Sequence, residues 1–147
     1  MDYKLLCAQL KALTEDVENE ISNLSNASAL LWQELADINW AGFYKMEGGI
    51  LVLYPFQGKP ACTKIAVGKG VCGTAVAENR TQLVPDVHQF PGHIACDCAS
   101  NSEIVVPIHV NGEIWGVLDI DSPSFSRFDE EDQKGLENFV KILETVL

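Results

Sequence analysis

The sequence predicts one α+β domain over residues 1–147, a central, mostly antiparallel sheet flanked by helices. Three observations lead there. Apolar residues recur at helical spacing at both ends of the chain, and the period shortens to that of strands between them. Two glycine turns, Gly48-Gly49 and Asn111-Gly112, each join two apolar runs in the manner of hairpins. No internal repeat, low-complexity tract or linker divides the chain.

At the N-terminal end, Leu6, Leu10, Leu13, Val17, Ile21 and Leu24 form one amphipathic stripe. The polar run Asn23-Leu24-Ser25-Asn26 is expected to interrupt it, with Ser25 or Asn26 capping a second helix that carries Leu30, Leu31 and Leu35 to about Asp37. Trp40–Met46 and Ile50–Tyr54 then flank Gly48-Gly49 as the first hairpin. Pro55 and Pro60 bracket an expected loop that delivers Cys62. Lys64–Val67 reads as a short edge strand, Gly68-Lys69-Gly70 as a turn, Val71–Glu78 as a short helix and Leu83-Val84 as a brief strand. A loop runs from Pro85 to Ser102, a length that in a compact domain usually signals function. The second hairpin follows, Glu103–Val110 and Ile114–Asp121 about Asn111-Gly112. In the last helix Asp129 is the expected N-cap, Glu130, Glu131 and Asp132 suit the positive end of its dipole, and Leu136, Phe139, Val140 and Leu143 form the buried stripe.

A chain of 147 residues that is 47% hydrophobic can bury a real core. Its net charge of −11 argues against nucleic acid and anionic membrane surfaces as partners, since both call for a basic face. No apolar run is long enough to span a bilayer, and Met1-Asp2-Tyr3-Lys4 lacks the features of a signal peptide, so a cytoplasmic location is expected. Five cysteines fit free, catalytic or metal-binding thiols in a reducing compartment better than a disulfide framework.

Cys7 lies on a helix away from the others and reads as a small hydrophobe. Cys62, Cys72, Cys96 and Cys98 all fall in loops or at element ends. Cys72 is expected at a helix N-terminus, which would stabilise its thiolate; His93 could do the same for Cys96, and spacing does not choose the nucleophile between them. His88, His93, Cys96 and Cys98 match no familiar zinc spacing, so no metal is expected, and His109 reads as a structural residue.

Asp119 and Asp121 are two apart on a strand and share a face, on which Trp115 and Val117 are also expected. In a pocket, two such carboxylates would repel, and one would keep its proton at neutral pH. A strict two-residue turn at Asn111-Gly112 pairs Ile104 with Asp119 and sends Glu103 to the opposite face. Glu103 joins the two aspartates only through a bulge or an early strand end, for which Pro107 is the expected place. Trp40, Tyr44 and Tyr54 could clasp a small cationic or methyl-bearing ligand beside the acids.

These residues resemble the free methionine-(R)-sulfoxide reductases, which are GAF-domain enzymes. The resemblance is carried by Gly70-Val71-Cys72-Gly73-Thr74-Ala75, Pro85-Asp86-Val87, Phe90–Asp97, Ser102–Pro107 and Gly116–Ser122, and it extends back to Asn39–Tyr44 and forward to Phe128. It implies a GAF-like fold, with Cys96 as nucleophile, Cys62 as the cysteine that resolves its sulfenic acid, and Cys72 as a third cysteine able to join disulfide exchange. It further implies that Glu103, Asp119 and Asp121 hold the sulfoxide and assist its protonation, and that Trp40 packs on the substrate methyl. Cys98 is outside the family's three-cysteine pattern. The implied substrate is free methionine sulfoxide, the implied reductant is thioredoxin, no cofactor is needed, and a homodimer is suggested. The competing class is a non-catalytic GAF sensor of a small ligand or of redox state.

Overall fold

A computed structural model describes residues 1–92 and 99–147. The elements run α1 (Tyr3–Thr14), α2 (Glu20–Glu34), β1 (Trp40–Glu47), β2 (Ile50–Gly58), β3 (Lys64–Ala66), α3 (Gly70–Glu78), β4 (Gln82–Val84), a single 3-10 turn (Val87–Gln89), β5 (Ser102–Val110), β6 (Glu113–Ser122) and α4 (Glu130–Glu144). The six strands form one antiparallel sheet in the order β3-β2-β1-β6-β5-β4. The predicted α+β class is therefore the observed one.

The two faces of the sheet are covered differently. Leu6 and Leu10 of α1, Leu24 and Leu31 of α2, and Leu136, Phe139 and Leu143 of α4 pack against Phe43, Ile104, Ile108, Leu118 and Ile120 in one large core. The opposite face carries a second cluster built from Trp40, Tyr44, Leu51, Val105 and Val117 beneath Val71, Cys72 and Ala75 of α3. Because side chains alternate along a strand, residues 40, 42 and 44 look toward α3 while 41 and 43 look toward the other helices.

The first helix ends earlier than expected. Asp16 adopts a left-handed conformation, φ 61°, and Asn19 caps α2 by accepting a hydrogen bond from Ser22 N–H at 3.0 Å. The polar run at residues 23–26 lies inside α2 because its buried member is paired: Asn23 Nδ2 donates to the Val17 carbonyl at 2.8 Å. Farther along α2, Ser28 Oγ bonds the Leu24 carbonyl at 2.9 Å and the Pro55 carbonyl at 3.1 Å. Strand β2 also outruns expectation, continuing through Pro55 to Gly58, so the loop bearing Cys62 is only residues 59–63. Asp129 does cap α4, in a reciprocal capping box with Asp132.

The register of the second hairpin decides the site. Val110 pairs with Glu113 and His109 with Ile114, but Ile108 pairs with Gly116. Trp115 is thus the extra residue of a β-bulge on β6. Beyond it Glu103 stands opposite Asp121 and Val105 opposite Asp119. The bulge lies next to the expected position and on the other strand: Pro107 itself pairs regularly with Val117. It also turns Trp115 away from the face expected for it. The Trp115 indole donates to Glu20 Oε1 at 2.9 Å and meets the Tyr54 ring edge-on at 6.0 Å, on the α2 side of the sheet.

Candidate active site

Glu103, Asp121 and Trp40 form one transverse row across β5, β6 and β1, with Glu103 paired to Asp121 and Asp121 to Trp40. The next row places Asp119 between Val105 and Gly42. Helix α3 lies over both rows, and its first turn closes a pocket lined by Trp40, Tyr44, Pro60, Ala61, Ile65, residues 69–72, Ser100, Glu103, Asp119 and Asp121. Gly42 leaves room here that no other residue would, since a Cβ would sit 2.2 Å from Phe56 Cβ.

The acids are not wet. Glu103 is 8% exposed and Asp119 6%. Burial, then repulsion from Asp119 and Asp121, drives the Glu103 carboxyl well above the ordinary carboxylate range. Burial also raises Asp119, opposed by hydrogen bonds it receives from Glu103 and Cys72. Of the two, Glu103 is raised the more strongly, which favours it as the donor and Asp119 as the acceptor of the bond between them. The remaining oxygen, Asp119 Oδ1, is buried without a hydrogen-bond partner.

Cys72 departs from expectation. It does lie in the first turn of α3, yet it is 4% exposed, and burial together with Asp119, Glu103 and Asp121 pushes its thiol well above the usual range. Three neighbouring carboxyls and the loss of water outweigh the helix terminus. It is a neutral thiol that donates to Asp119. Among the described residues, Cys72, Glu103 and Asp119 are the group whose potential ligand atoms come close enough to share a metal ion, all within 4.8 Å.

The aromatics divide. The rings of Trp40 and Phe56 stack at 5.0 Å between centroids, and Tyr44 lies 5.9 Å from Trp40. Trp40 Nε1 donates to the Lys59 carbonyl at 3.1 Å, and Tyr44 Oη donates to the Cys62 carbonyl at 2.9 Å. These bonds hold the loop of residues 59–63 over the pocket. Tyr54 does not join them. Beside a second β-bulge, between Gly42 and Tyr44 on one strand and Phe56 and Leu53 on the other, it packs against the large core and donates to Glu47 Oε1 at 2.6 Å.

Cys62 is half-buried and disulfide-bonded, whereas Cys7 and Cys72 are free. The expectations for His93, Cys96 and Cys98 fall outside the described residues. Ser100 and the main chain at the start of α3 line the pocket and were not singled out by sequence. The Gly68–Gly70 turn before α3 was the only available signal for the latter. His109 is structural as expected, bonding Asn79 Oδ1 at 2.6 Å away from the pocket. Among the described residues no helix is long and apolar enough to cross a membrane.

A six-stranded sheet with an acid-lined pocket under one short helix defines the class: residues 9–147 match the GAF domain family. The chain is 59% identical to "Protein YtsP" of Bacillus subtilis, over 99% of this chain and 91% of that protein. It is 57% identical to the free methionine-R-sulfoxide reductase of Escherichia coli, over 99% of this chain and 88% of that enzyme. The fRMsr of Staphylococcus aureus in complex with substrate superposes with a TM-score of 0.95 at 57% identity, over 99% of this chain and 95% of that one. Within the GAF class, the chain belongs to the free methionine-R-sulfoxide reductases.

Proposed function

We propose that the chain reduces the R sulfoxide of free methionine by thiol chemistry, with Cys96 as nucleophile, Cys62 as resolving thiol and Glu103 as proton donor. The observation that carries this reading is the row of Trp40, Asp121 and Glu103, in which a buried carboxyl stands beside an aromatic wall and is pushed well above the ordinary carboxylate range by burial and by its acidic neighbours. Thiolate attack on a sulfoxide sulfur needs a proton on the departing oxygen, and a carboxyl with an ordinary pKa is nearly all ionised at neutral pH.

The sequence of events follows. The substrate methyl packs on Trp40. The buried, unpartnered Asp119 Oδ1 accepts from a donor of the bound amino acid, the ammonium being the strongest it carries. Cys96 thiolate attacks sulfur, Glu103 protonates oxygen, methionine leaves and Cys96 becomes a sulfenic acid. The Cys62 thiol displaces water from it to form a disulfide. A dithiol such as thioredoxin then reduces that disulfide by exchange. Residues 59–63, tethered through Tyr44 and Trp40, carry Cys62 next to Pro60 and Ala61, which line the pocket. The disulfide at Cys62 supports the resolving role.

The experiment is methionine release from racemic free methionine sulfoxide in a single turnover. Cys96→Ser abolishes release. Cys62→Ser still releases about one equivalent per site, because the sulfenic acid forms without it, but it does not recycle with thioredoxin. Methionine release that survives Cys96→Ser overturns the assignment.

A further inference from the structure

The stretch of chain that carries Cys62 is opposite in charge to the molecule. The chain carries −11 overall, yet no aspartate or glutamate occurs between Glu47 and Glu78. That interval holds Lys59, Lys64 and Lys69, all exposed. Lys59 is three residues before Cys62 and Lys64 two after it, on edge strand β3, whose Ile65 points inward while Lys64 and Ala66 face water. Lys69 precedes α3 at the pocket rim. Among the described residues none of these three pairs with an acid; Lys4, Lys11, Lys134 and Lys141 are also without an ion pair, but each has an acid within four residues of it in the chain, as these three do not. The result, among the described residues, is a basic stretch of chain on either side of a half-buried, disulfide-bonded sulfur, with Lys59 and Lys64 outside the acid-lined pocket.

We propose that this stretch, centred on Lys59 and Lys64, is the docking surface for an acidic dithiol protein that reduces the Cys62 disulfide. The substrate carboxylate could account for Lys69, which lines the pocket, but it gives no reason for Lys59 and Lys64, which do not. A protein reductant gives one. Two net-negative molecules repel at a distance, and a basic stretch at the face that presents the reactive sulfur offers a local attraction there, so encounter and orientation are achieved together. The reductant's thiolate forms a bond to Cys62 Sγ while the bond from Cys62 to its partner sulfur breaks, releasing that partner as a thiolate. The reductant's second thiol then attacks the mixed disulfide and frees Cys62. Two electrons pass to the enzyme, and the reductant leaves as a disulfide.

This proposal rests on the preceding reading only in taking the Cys62 disulfide to be recycled by a dithiol protein. The test uses the oxidised full chain without methionine sulfoxide, so it is independent of catalysis. The rate of thiol appearance is measured with a net-negative thioredoxin and with dithiothreitol, for the wild type and K59E/K64E, across a salt series. At low salt the double variant is reduced by thioredoxin about tenfold more slowly or worse, the gap closes as salt screens the contact, and the dithiothreitol rate is unchanged. An equal thioredoxin rate in the two proteins overturns the proposal. So does an equal loss with both reductants, which would place the lysines in the chemistry of the disulfide itself. Absence of methionine sulfoxide turnover with dithiothreitol in the wild type would instead refute the proposed function and leave this result standing.

Discussion

Glu103 and Asp121 face each other as cross-strand neighbours on β5 and β6, both looking toward α3. Like charges directly opposite destabilise a sheet, and here a third acid, Asp119, lies in the adjoining row. Burial and this repulsion together raise the Glu103 carboxyl, which favours its neutral form and relieves the clash. That has consequences for chemistry and stability.

Glu103→Gln is expected to slow methionine release in a single turnover by about 100-fold or more, the usual scale of a lost general acid. An amide can donate a hydrogen bond but cannot transfer the proton. Reduction of the enzyme disulfide by dithiothreitol should be unchanged. Asp121→Asn is expected to lower the sulfoxide step as well, and comparing the two variants assigns the donor. A Glu103→Gln enzyme with full single-turnover rate would remove Glu103 from that role.

The pH dependence follows from the same group. The folded pKa of Glu103 lies above its unfolded value, about 4.3 for a free glutamate. Between those two values the folded state binds more protons, so stability falls as pH rises through the window. Urea unfolding over a pH series should show the wild type losing ground to Glu103→Gln as pH increases. Parallel curves would mean that the carboxyl is ionised throughout.

The bulge can be tested through its neighbour. A Cβ on Gly116 would lie 2.1 Å from the Tyr44 carbonyl oxygen in the adjacent strand. Gly116→Ala should therefore force β1 and β6 apart or shift the register, costing about 1–3 kcal/mol as overpacking does. Because Trp115 and Gly116 set which residues of β6 face α3, activity should fall further than stability alone explains. Thermal unfolding and turnover measured on the same preparation check both halves.

The buried thiol gives a simpler test. With its pKa raised by burial and nearby acids, Cys72 should resist iodoacetamide at neutral pH in the reduced native protein, while half-buried Cys62 is labelled. Peptide mass spectrometry after a short pulse reads both. Prompt labelling of Cys72 would show that the helix terminus governs it after all.

The aromatics separate by face. Trp40→Ala is expected to raise the KM for free methionine sulfoxide about tenfold or more, whereas Tyr54→Ala should leave it unchanged and cost only stability. A matching rise in KM for both variants would contradict the division of the sheet described above.

Much of this was legible in the chain before any coordinates. Asn111-Gly112 set the second hairpin, Asp129 with Asp132 set the start of α4, and the motif residues led to Glu103, Asp119, Asp121 and Trp40. What could not be read was what depends on contacts distant in sequence. Ile114, Trp115 and Gly116 carry no local mark of a bulge; Trp115 leaves the pocket face because Glu20, 95 residues away, accepts its indole N–H and Tyr54 receives its ring. The polar run at 23–26 looked like a helix break because its pairing with the Val17 carbonyl is invisible in sequence. Cys72 was placed correctly at a helix start, but its ionisation depends on acids from β5 and β6 that spacing alone does not bring near.

The bond from the Trp40 indole to the Lys59 carbonyl has an implication for anyone reshaping this pocket. The same side chain that walls the pocket also latches the segment carrying Cys62. Trimming Trp40 to widen the pocket would loosen that latch, so the room in the pocket and the hold on Cys62 are wired to one part. A redesign that seeks the first without losing the second has to give the Lys59 carbonyl a new donor before it touches the tryptophan.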